Sequence, residues 1–267
     1  MIRIGVSGAC GRMGMRLLSC ATEDKDLAIG GALELEGHSS IGKDTGEILG
    51  LGRKLIPITD NLKKVIGDID VLIEFTTPDG TMRHLNIAEK SKKAIVIGTT
   101  GLNQDELKAV EKAGSSIPIV MAPNMSIGVN LLFRLVGEVA KGLGKGYDVE
   151  IVEAHHRFKK DAPSGTAKKL AEEIANALDR DLDKVGVYGR KGMTGQRSDE
   201  EIGIHAVRAG DIVGEHTVTF CGNGERIEIV HRAHSRDAFA RGALRAARFV
   251  GGKPPRLYSM EDVLWGS

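Results

Sequence analysis

The densest chemistry in the sequence lies in the run Glu153-Ala154-His155-His156-Arg157-Phe158-Lys159-Lys160-Asp161-Ala162-Pro163-Ser164-Gly165-Thr166. An apolar β-branched run precedes it and a helical pattern follows, so the basic stretch reads as a loop between strand and helix. Adjacent side chains on a strand point to opposite faces, which makes His155 and His156 a poor metal chelate, and neither an HExxH pattern nor a cysteine cluster accompanies them. No metal is expected. A proton donor and a ligand-binding group suit the pair better. The helix start at Ser164-Gly165-Thr166 offers backbone N–H groups to a carboxylate, and Lys159 and Lys160 add positive charge. A small substrate with two carboxylates fits this set. The plainer alternative is a surface loop with an ordinary histidine pair and Ser164 as a helix N-cap.

A second set of residues stands at the N-terminus, where Gly8-Ala9-Cys10-Gly11-Arg12-Met13-Gly14 joins a strand to a helix. Glycines at such a junction permit a tight turn, close approach of a pyrophosphate and close packing of helix on sheet. The helix N-terminus turns free N–H groups and a positive dipole end toward phosphates. The spacing is GxxGxxG rather than GxGxxG, a weak signal alone. Glu34 closes the next predicted strand about twenty residues past Gly14, where an acid meets the ribose hydroxyls of a bound dinucleotide. Arg12 is a candidate phosphate contact. Gly98-Thr99-Thr100-Gly101 and Ala122-Pro123-Asn124-Met125 follow two further predicted strands, and open α/β sheets bind ligands beyond the carboxyl ends of their strands. A hydride donor and a proton donor in one chain make a reductase of a carbon–carbon or carbon–nitrogen double bond.

The elements that must position these groups follow from periodicity. Strands are predicted at Ile2 to Val6, Leu27 to Leu33, Val71 to Phe75, Ala94 to Ile97 and Ile117 to Met121. Helices alternate with them at Met13 to Ala21, Thr81 to Ser91 and Gln104 to Ala113, with Pro78-Asp79-Gly80 as a turn and Gly37 to Gly52 as a loop. This alternation implies a Rossmann-like, doubly wound parallel sheet. The pattern then changes. Helices at Gly128 to Leu143 and Ser164 to Leu178 flank a strand at Val149 to Ala154. Strands at Gly203 to Arg208, His216 to Phe220 and Arg226 to His231 follow, joined by turns too short for crossovers, so they are expected to be antiparallel. A last helix spans Arg236 to Val250. The expected organisation is a dinucleotide-binding domain from 1–126 and 236–267. A substrate-binding α+β domain with a mixed, largely antiparallel sheet is expected at 127–235.

Composition narrows the partners. The chain has 267 residues and a net charge of +1, with no basic stripe of the kind nucleic-acid binders carry. Its three cysteines, Cys10, Cys20 and Cys221, form no CxxC and suit a reducing cytoplasm. No signal peptide is read, and no apolar run reaches the length of a membrane span. Neither nucleic acid nor a membrane is expected as a partner.

The run from Glu153 to Ala167 closely resembles the signature of the 4-hydroxy-tetrahydrodipicolinate reductase (dihydrodipicolinate reductase) family. The likeness extends to Gly8 to Gly14, Phe75-Thr76, Gly98 to Gly101, Ala122 to Asn130, Arg208 to His216 and Ser235 to Ala243. The resemblance implies reduction of a cyclic dicarboxylate by NADH or NADPH, with loss of water, on the diaminopimelate route to lysine. It implies His155 as proton donor, Lys159 as a second catalytic residue, and His156, Ser164, Gly165 and Thr166 as substrate binders. It places the cofactor on Gly8, Ala9, Cys10, Gly11, Arg12, Met13, Glu34, Gly98, Thr99, Thr100, Ala122, Pro123, Asn124 and Met125. It also implies a cytoplasmic homotetramer joined through the sheet of the second domain. One position departs from the family. An arginine often follows the ribose-binding acid there, to meet the 2′-phosphate of NADP; here Leu35 stands in its place, which favours NAD, with Arg12 leaving dual use open. Two other readings remain: another nicotinamide-dependent dehydrogenase acting on an amino-acid-like dicarboxylate, and a non-enzymatic nucleotide sensor.

Overall fold

The structure, a computed structural model, describes residues 1–266. In chain order its elements are β1 (Ile2–Ser7), α1 (Arg12–Thr22), β2 (Leu27–Leu33), α2 (Thr45–Ile48), β3 (Ile58–Thr59), β4 (Val71–Glu74), α3 (Pro78–Lys90), β5 (Ala94–Ile97), α4 (Gln104–Gly114) and β6 (Pro118–Met121). They continue with α5 (Ile127–Leu143), β7 (Asp148–His155), α6 (Gly165–Ala177), α7 (Leu182–Val185), β8 (Gly186–Tyr188), β9 (Ile202–Arg208), β10 (Gly214–Gly222) and β11 (Glu225–Ala233). The chain closes with α8 (Asp237–Val250), β12 (Arg256–Tyr258) and α9 (Met260–Trp265). These form two compact units, Met1–Ile127 with Arg236–Ser267, and Gly128–Ser235.

The first unit holds a seven-stranded sheet in the order β12-β6-β5-β4-β1-β2-β3, every pairing parallel. Both faces of a parallel sheet are covered, which is why its strands read as continuous apolar runs. Alternate side chains serve different layers. Val71, Ile73 and Val96 join Leu17, Leu18, Leu244 and Ala247 from α1 and α8 in one core. Leu72, Ile95 and Ile97 join Leu85 and Val110 from α3 and α4 in another. By the same period of two, Glu74 falls on the face of Leu72, toward α3. The strand order reverses direction at β1, which lies between β2 and β4, so the glycine turn after β1 sits at the topological switch point.

Three local expectations change. Pro78-Asp79-Gly80 is not a turn before α3 but its first helical turn. Thr77 caps it by accepting from the Gly80 N–H at 3.2 Å, and Pro78 occupies a position where a missing N–H is harmless. The stretch from Gly37 to Gly52 contains α2, capped by Asp44. Strands β3, β8 and β12, with α7 and α9, are additional; elements of two to six residues carry too little periodicity to be read from sequence.

The second unit holds a five-stranded sheet in the order β11-β10-β7-β9-β8. It is mixed. β10 pairs antiparallel with β11 and β7, whereas β7 pairs parallel with β9, and β9 with β8. The expected antiparallel contact between β9 and β10 is therefore replaced: β7 lies between them. The register explains the choice, since Ile151 stands opposite both Ile204 and Val218, and these join one buried cluster with Leu170 and Ile174 of α6. No described helix is long and apolar enough to cross a membrane.

Candidate active site

Along the inner face of the second sheet the side chains change character at one end. Val149, Ile151, Ile202, Ile204, Val218 and Phe220 are buried and apolar. Further along the same face come Glu153 and His155 on β7, Arg208 on β9, and Gly214 and His216 on β10, all placed there by the period of two. Glu153 is fully buried. It accepts from both terminal guanidinium nitrogens of Arg208 at 2.7 and 2.8 Å, and from the Ser164 N–H at 2.9 Å. Its Oε2 lies 2.6 Å from His155 Nδ1. Burial pushes this carboxyl upward, but Arg208, His155 and the Ser164 N–H outweigh it and hold it below the usual carboxylate range.

The consequence for His155 is a defined tautomer. With Nδ1–H donating to a carboxylate, Nε2 is the nitrogen left for chemistry. A Cβ on Gly214 would stand 3.2 Å from that Nε2, so glycine leaves the nitrogen open. Burial lowers the His155 pKa, the Glu153 carboxylate opposes this, and the charges of Lys159 and Arg208 lower it further. The net shift is downward, so the protonated ring is a strong acid for its type. His216, buried and edge-on to His155 at 5.2 Å between ring centroids, is pushed down to about 3 by burial and by the neighbouring imidazoles, with Glu153 opposing. It stays neutral. Its Nε2 lies 3.3 Å from Ser164 Oγ.

Lys159 is partly buried and pairs with Asp161 at 2.9 Å. Burial and the Lys159 pairing act in opposite directions on Asp161, and the pairing prevails, holding that carboxyl low. Ser164 is buried and caps α6 by accepting from the Ala167 N–H at 3.2 Å, so its hydroxyl serves the helix start. Gly165 follows with open space where a Cβ would stand; neither packing nor a positive φ demands glycine there, and the start of a helix favours an approaching anion. His156 has a buried Nδ1 without a hydrogen-bond partner. Glu153, Arg208 and His216 were not singled out as site residues from sequence. Glu153 could have been, because residues two apart on a strand share a face. Arg208, 55 residues from Glu153, carried no such signal.

In the first unit, Gly8 has φ +69°, and a Cβ on Gly14 would stand 2.0 Å from the Gly8 carbonyl oxygen. The turn and the close helix approach thus both require glycine. The cap position of α1, Gly11, has no side-chain hydrogen bond to the helix N–H groups, which suits an anion. Glu34 follows β2 directly and its carboxylate accepts from the Cys10 N–H and the Leu35 N–H, both at 2.9 Å. Glu34 and the glycine turn are therefore tied together, an arrangement that fits a dinucleotide. Arg12 and Leu35 are exposed, Leu35 at 67%. Ala9, Ala122 and Met125 are core residues, which leaves only their backbones for any contact with a ligand, and Thr99 is buried. A thiol, a carboxylate oxygen and a ring nitrogen from Cys10, Glu34 and His38 lie within 4.8 Å of one another and could hold a metal ion. Both Glu34 oxygens, however, already accept backbone N–H groups, and His38 Nδ1 accepts the Ser40 N–H at 3.2 Å.

A doubly wound parallel sheet with a glycine turn at its switch point, in one chain with a unit bearing a carboxylate-held imidazole, defines the class of Rossmann-type two-domain oxidoreductases. The families of sequence described as "Dihydrodipicolinate reductase, N-terminus" and "Dihydrodipicolinate reductase, C-terminus" match residues 2–125 and 128–264. The chain is 52% identical to the 4-hydroxy-tetrahydrodipicolinate reductase of Syntrophus aciditrophicus (strain SB) over 99% of its length and 98% of that protein's. It is 51% identical to the same-named protein of Hahella chejuensis (strain KCTC 2396), over 99% of both. Among solved structures, the dipicolinate-bound dihydrodipicolinate reductase from Paenisporosarcina sp. TG-14 superposes with a TM-score of 0.75 at 27% identity, covering 97% of each chain. An amine dehydrogenase from Mycobacterium smegmatis, at 13% identity and a TM-score of 0.61, shares the fold. The chain belongs to the dihydrodipicolinate reductase family.

Proposed function

We propose that the chain reduces 4-hydroxy-tetrahydrodipicolinate to tetrahydrodipicolinate, with loss of water, a reading supported by relatives named 4-hydroxy-tetrahydrodipicolinate reductase. The observation that carries this reading is the His155 imidazole, held on Nδ1 by buried Glu153 with Nε2 free, beside a helix start that can receive a carboxylate. A nicotinamide held by the glycine turn would supply the hydride. His155 supplies the matching proton from Nε2, and its lowered pKa makes that proton easy to give. Lys159 holds positive charge close to His155 and is the second candidate donor. Gly165 and Thr166, with Ser164 fixing the turn, receive one carboxylate of a cyclic dicarboxylate on backbone N–H groups, and His156 faces the same ligand.

In this reading the cofactor lies on Gly8 to Met13, Glu34, Gly98 to Thr100 and Ala122 to Met125, and NADH is preferred to NADPH. Support for the preference is Leu35, exposed beside Glu34, where a cation would meet a 2′-phosphate. Homotetramer formation through the second sheet is supported by its outer face, which exposes Val152, Val207 and Val230 on three strands. The cytoplasm is the proposed location.

The test couples the chain to the synthase that condenses pyruvate with aspartate semialdehyde and follows NADH or NADPH absorbance. Cofactor oxidation that requires the synthase product is expected, and no oxidation with either cofactor overturns the reading. Leu35→Arg is expected to raise NADPH affinity relative to NADH about tenfold, the value of one charge-assisted phosphate contact. An unchanged ratio places phosphate discrimination elsewhere.

A further inference from the structure

The cofactor unit contains a polar knot that the proposed chemistry does not use. Glu74, the last residue of β4, is fully buried. Its Oε2 lies 2.7 Å from Nδ1 of His84 on α3, and its Oε1 accepts from the Thr76 hydroxyl. The same His84 nitrogen lies 3.2 Å from the hydroxyl of Ser7, at the end of β1. Beyond it, the Thr76 N–H donates to Thr99 Oγ1 at 3.2 Å, and Thr81 on α3 donates to that oxygen at 2.8 Å. Four elements meet here: the ends of β1, β4 and β5 and the first turns of α3.

Two glycines show what the knot holds. A Cβ on Gly8 would stand 3.1 Å from Thr76 Cγ2 and 3.4 Å from the Phe75 carbonyl oxygen. A Cβ on Gly98 would stand 2.3 Å from the Phe75 ring. The Phe75–Thr76 segment is thus a wedge between the glycine turn after β1 and the Gly98–Thr100 turn after β5. Its hydroxyl end is fastened to Glu74 and its backbone to Thr99.

Stability does not ask for a carboxyl at this place. Leu72, Ile95 and Ile97 on the same sheet face are apolar, and a well-packed apolar group often serves a core as well as or better than a buried pair. What an apolar residue cannot do is fix the angle of a neighbouring loop through directed hydrogen bonds. We propose that Glu74 and His84 are a positioning pair: through Thr76 and Ser7 they set the gap between the Gly8 and Gly98 turns that receives the dinucleotide. The inference rests on the assignment of those two turns to the cofactor.

The test is direct NADH binding, read by fluorescence titration, together with thermal melting and steady-state kinetics. Loops no longer held must be ordered by the ligand, and loss of that preorganisation is expected to weaken NADH binding about tenfold in the Glu74→Leu/His84→Leu double variant. Its melting temperature is expected to match or exceed that of the unaltered chain. KM for NADH rises with Kd, while kcat at saturating NADH changes much less. Thr76→Val, which cuts only the link from Glu74 to the wedge, is expected to weaken binding about threefold. His84→Asn keeps a donor near the Nδ1 position and is expected to restore binding. NADH affinity within twofold of the unaltered chain in the double variant overturns the proposal. So does a loss of affinity across all three variants that merely tracks melting temperature. If the double variant does not fold, Thr76→Val and His84→Asn decide by the same criteria. Failure of the unaltered chain to bind NADH would instead overturn the cofactor assignment.

Discussion

Each compact unit carries a fully buried glutamate at the end of a strand with an imidazole on it through Nδ1: Glu74 with His84 at 2.7 Å, and Glu153 with His155 at 2.6 Å. The surroundings separate them. Glu153 also receives a bidentate guanidinium from Arg208 and a backbone N–H, so its charge is compensated independently of the histidine. That frees His155 to gain and lose a proton while its partner stays ionised. Glu74 accepts from the Thr76 hydroxyl and has no guanidinium among its hydrogen bonds within the described residues, and its histidine reaches back to the Ser7 hydroxyl at the end of β1. The first arrangement suits proton transfer, the second suits holding loops. A third pair, Glu150 with His205 at 2.7 Å, lies on the outer face of the second sheet under Arg190 and Arg197, and serves as a control within the same unit.

The largest expected effect is at His155. Changing it to Gln removes the proton donor and is expected to lower turnover by roughly 10²–10⁴-fold, the usual worth of general acid catalysis. Turnover near that of the unaltered chain in the coupled assay would assign the proton to another group, Lys159 first.

Glu153→Gln is expected to lower kcat by roughly 10–100-fold, because the ring loses its fixed tautomer. It also moves the pH profile. The acid form of His155 is the active one, so turnover falls as pH rises through its pKa in the enzyme–substrate complex. Glu153 raises that pKa against the effect of burial, and its removal must shift the alkaline fall in kcat to lower pH. A shift to higher pH, or none, would break the contrast drawn with Glu74.

Gly214→Ala places a methyl group 3.2 Å from the working nitrogen of His155 and is expected to reduce kcat about tenfold by obstructing approach. A full-rate variant would show that the substrate reaches Nε2 from another side.

The smallest effect on turnover is expected at Glu150. Burial raises its carboxyl, but Arg190, His205 and Arg197 prevail and hold it at about 2, below the ordinary 4.5. A depressed carboxylate contributes stability above its unfolded pKa and loses it as pH falls toward the folded value. The contribution is on the order of 2 kcal/mol after allowance for partial exposure. Melting between pH 5 and pH 2 should therefore fall less steeply in Glu150→Gln than in the unaltered chain, with little change in turnover near neutral pH. Equal slopes would show that the pair is not coupled to folding.

Much of the proposed site was legible because its parts are contiguous. The strand, basic loop and capped helix from Glu153 to Thr166 follow one another in the chain, and the structure places them as a strand, turn and helix with Ser164 at the cap. The glycine turn was legible for the same reason. The polar neighbours were not: Arg208 and His216 bound a segment of family likeness, but they and His84 are single residues on other elements, and periodicity does not distinguish a buried partner from a solvated side chain. The pairing of β7 with β9 was likewise hidden, since short turns suggested hairpins throughout.

What the sequence determined by itself is the alternation of strands and helices, the glycine turn after the first strand with the acid that closes the second, and a histidine pair beside a helix start, since each depends on local periodicity or on residues close in the chain. What only the tertiary structure decided is which carboxylate holds which imidazole, and what else holds that carboxylate. The reason is physical. A buried charge is defined by all the groups that surround it, and β9, β10 and α3 bring those groups from distant parts of the chain.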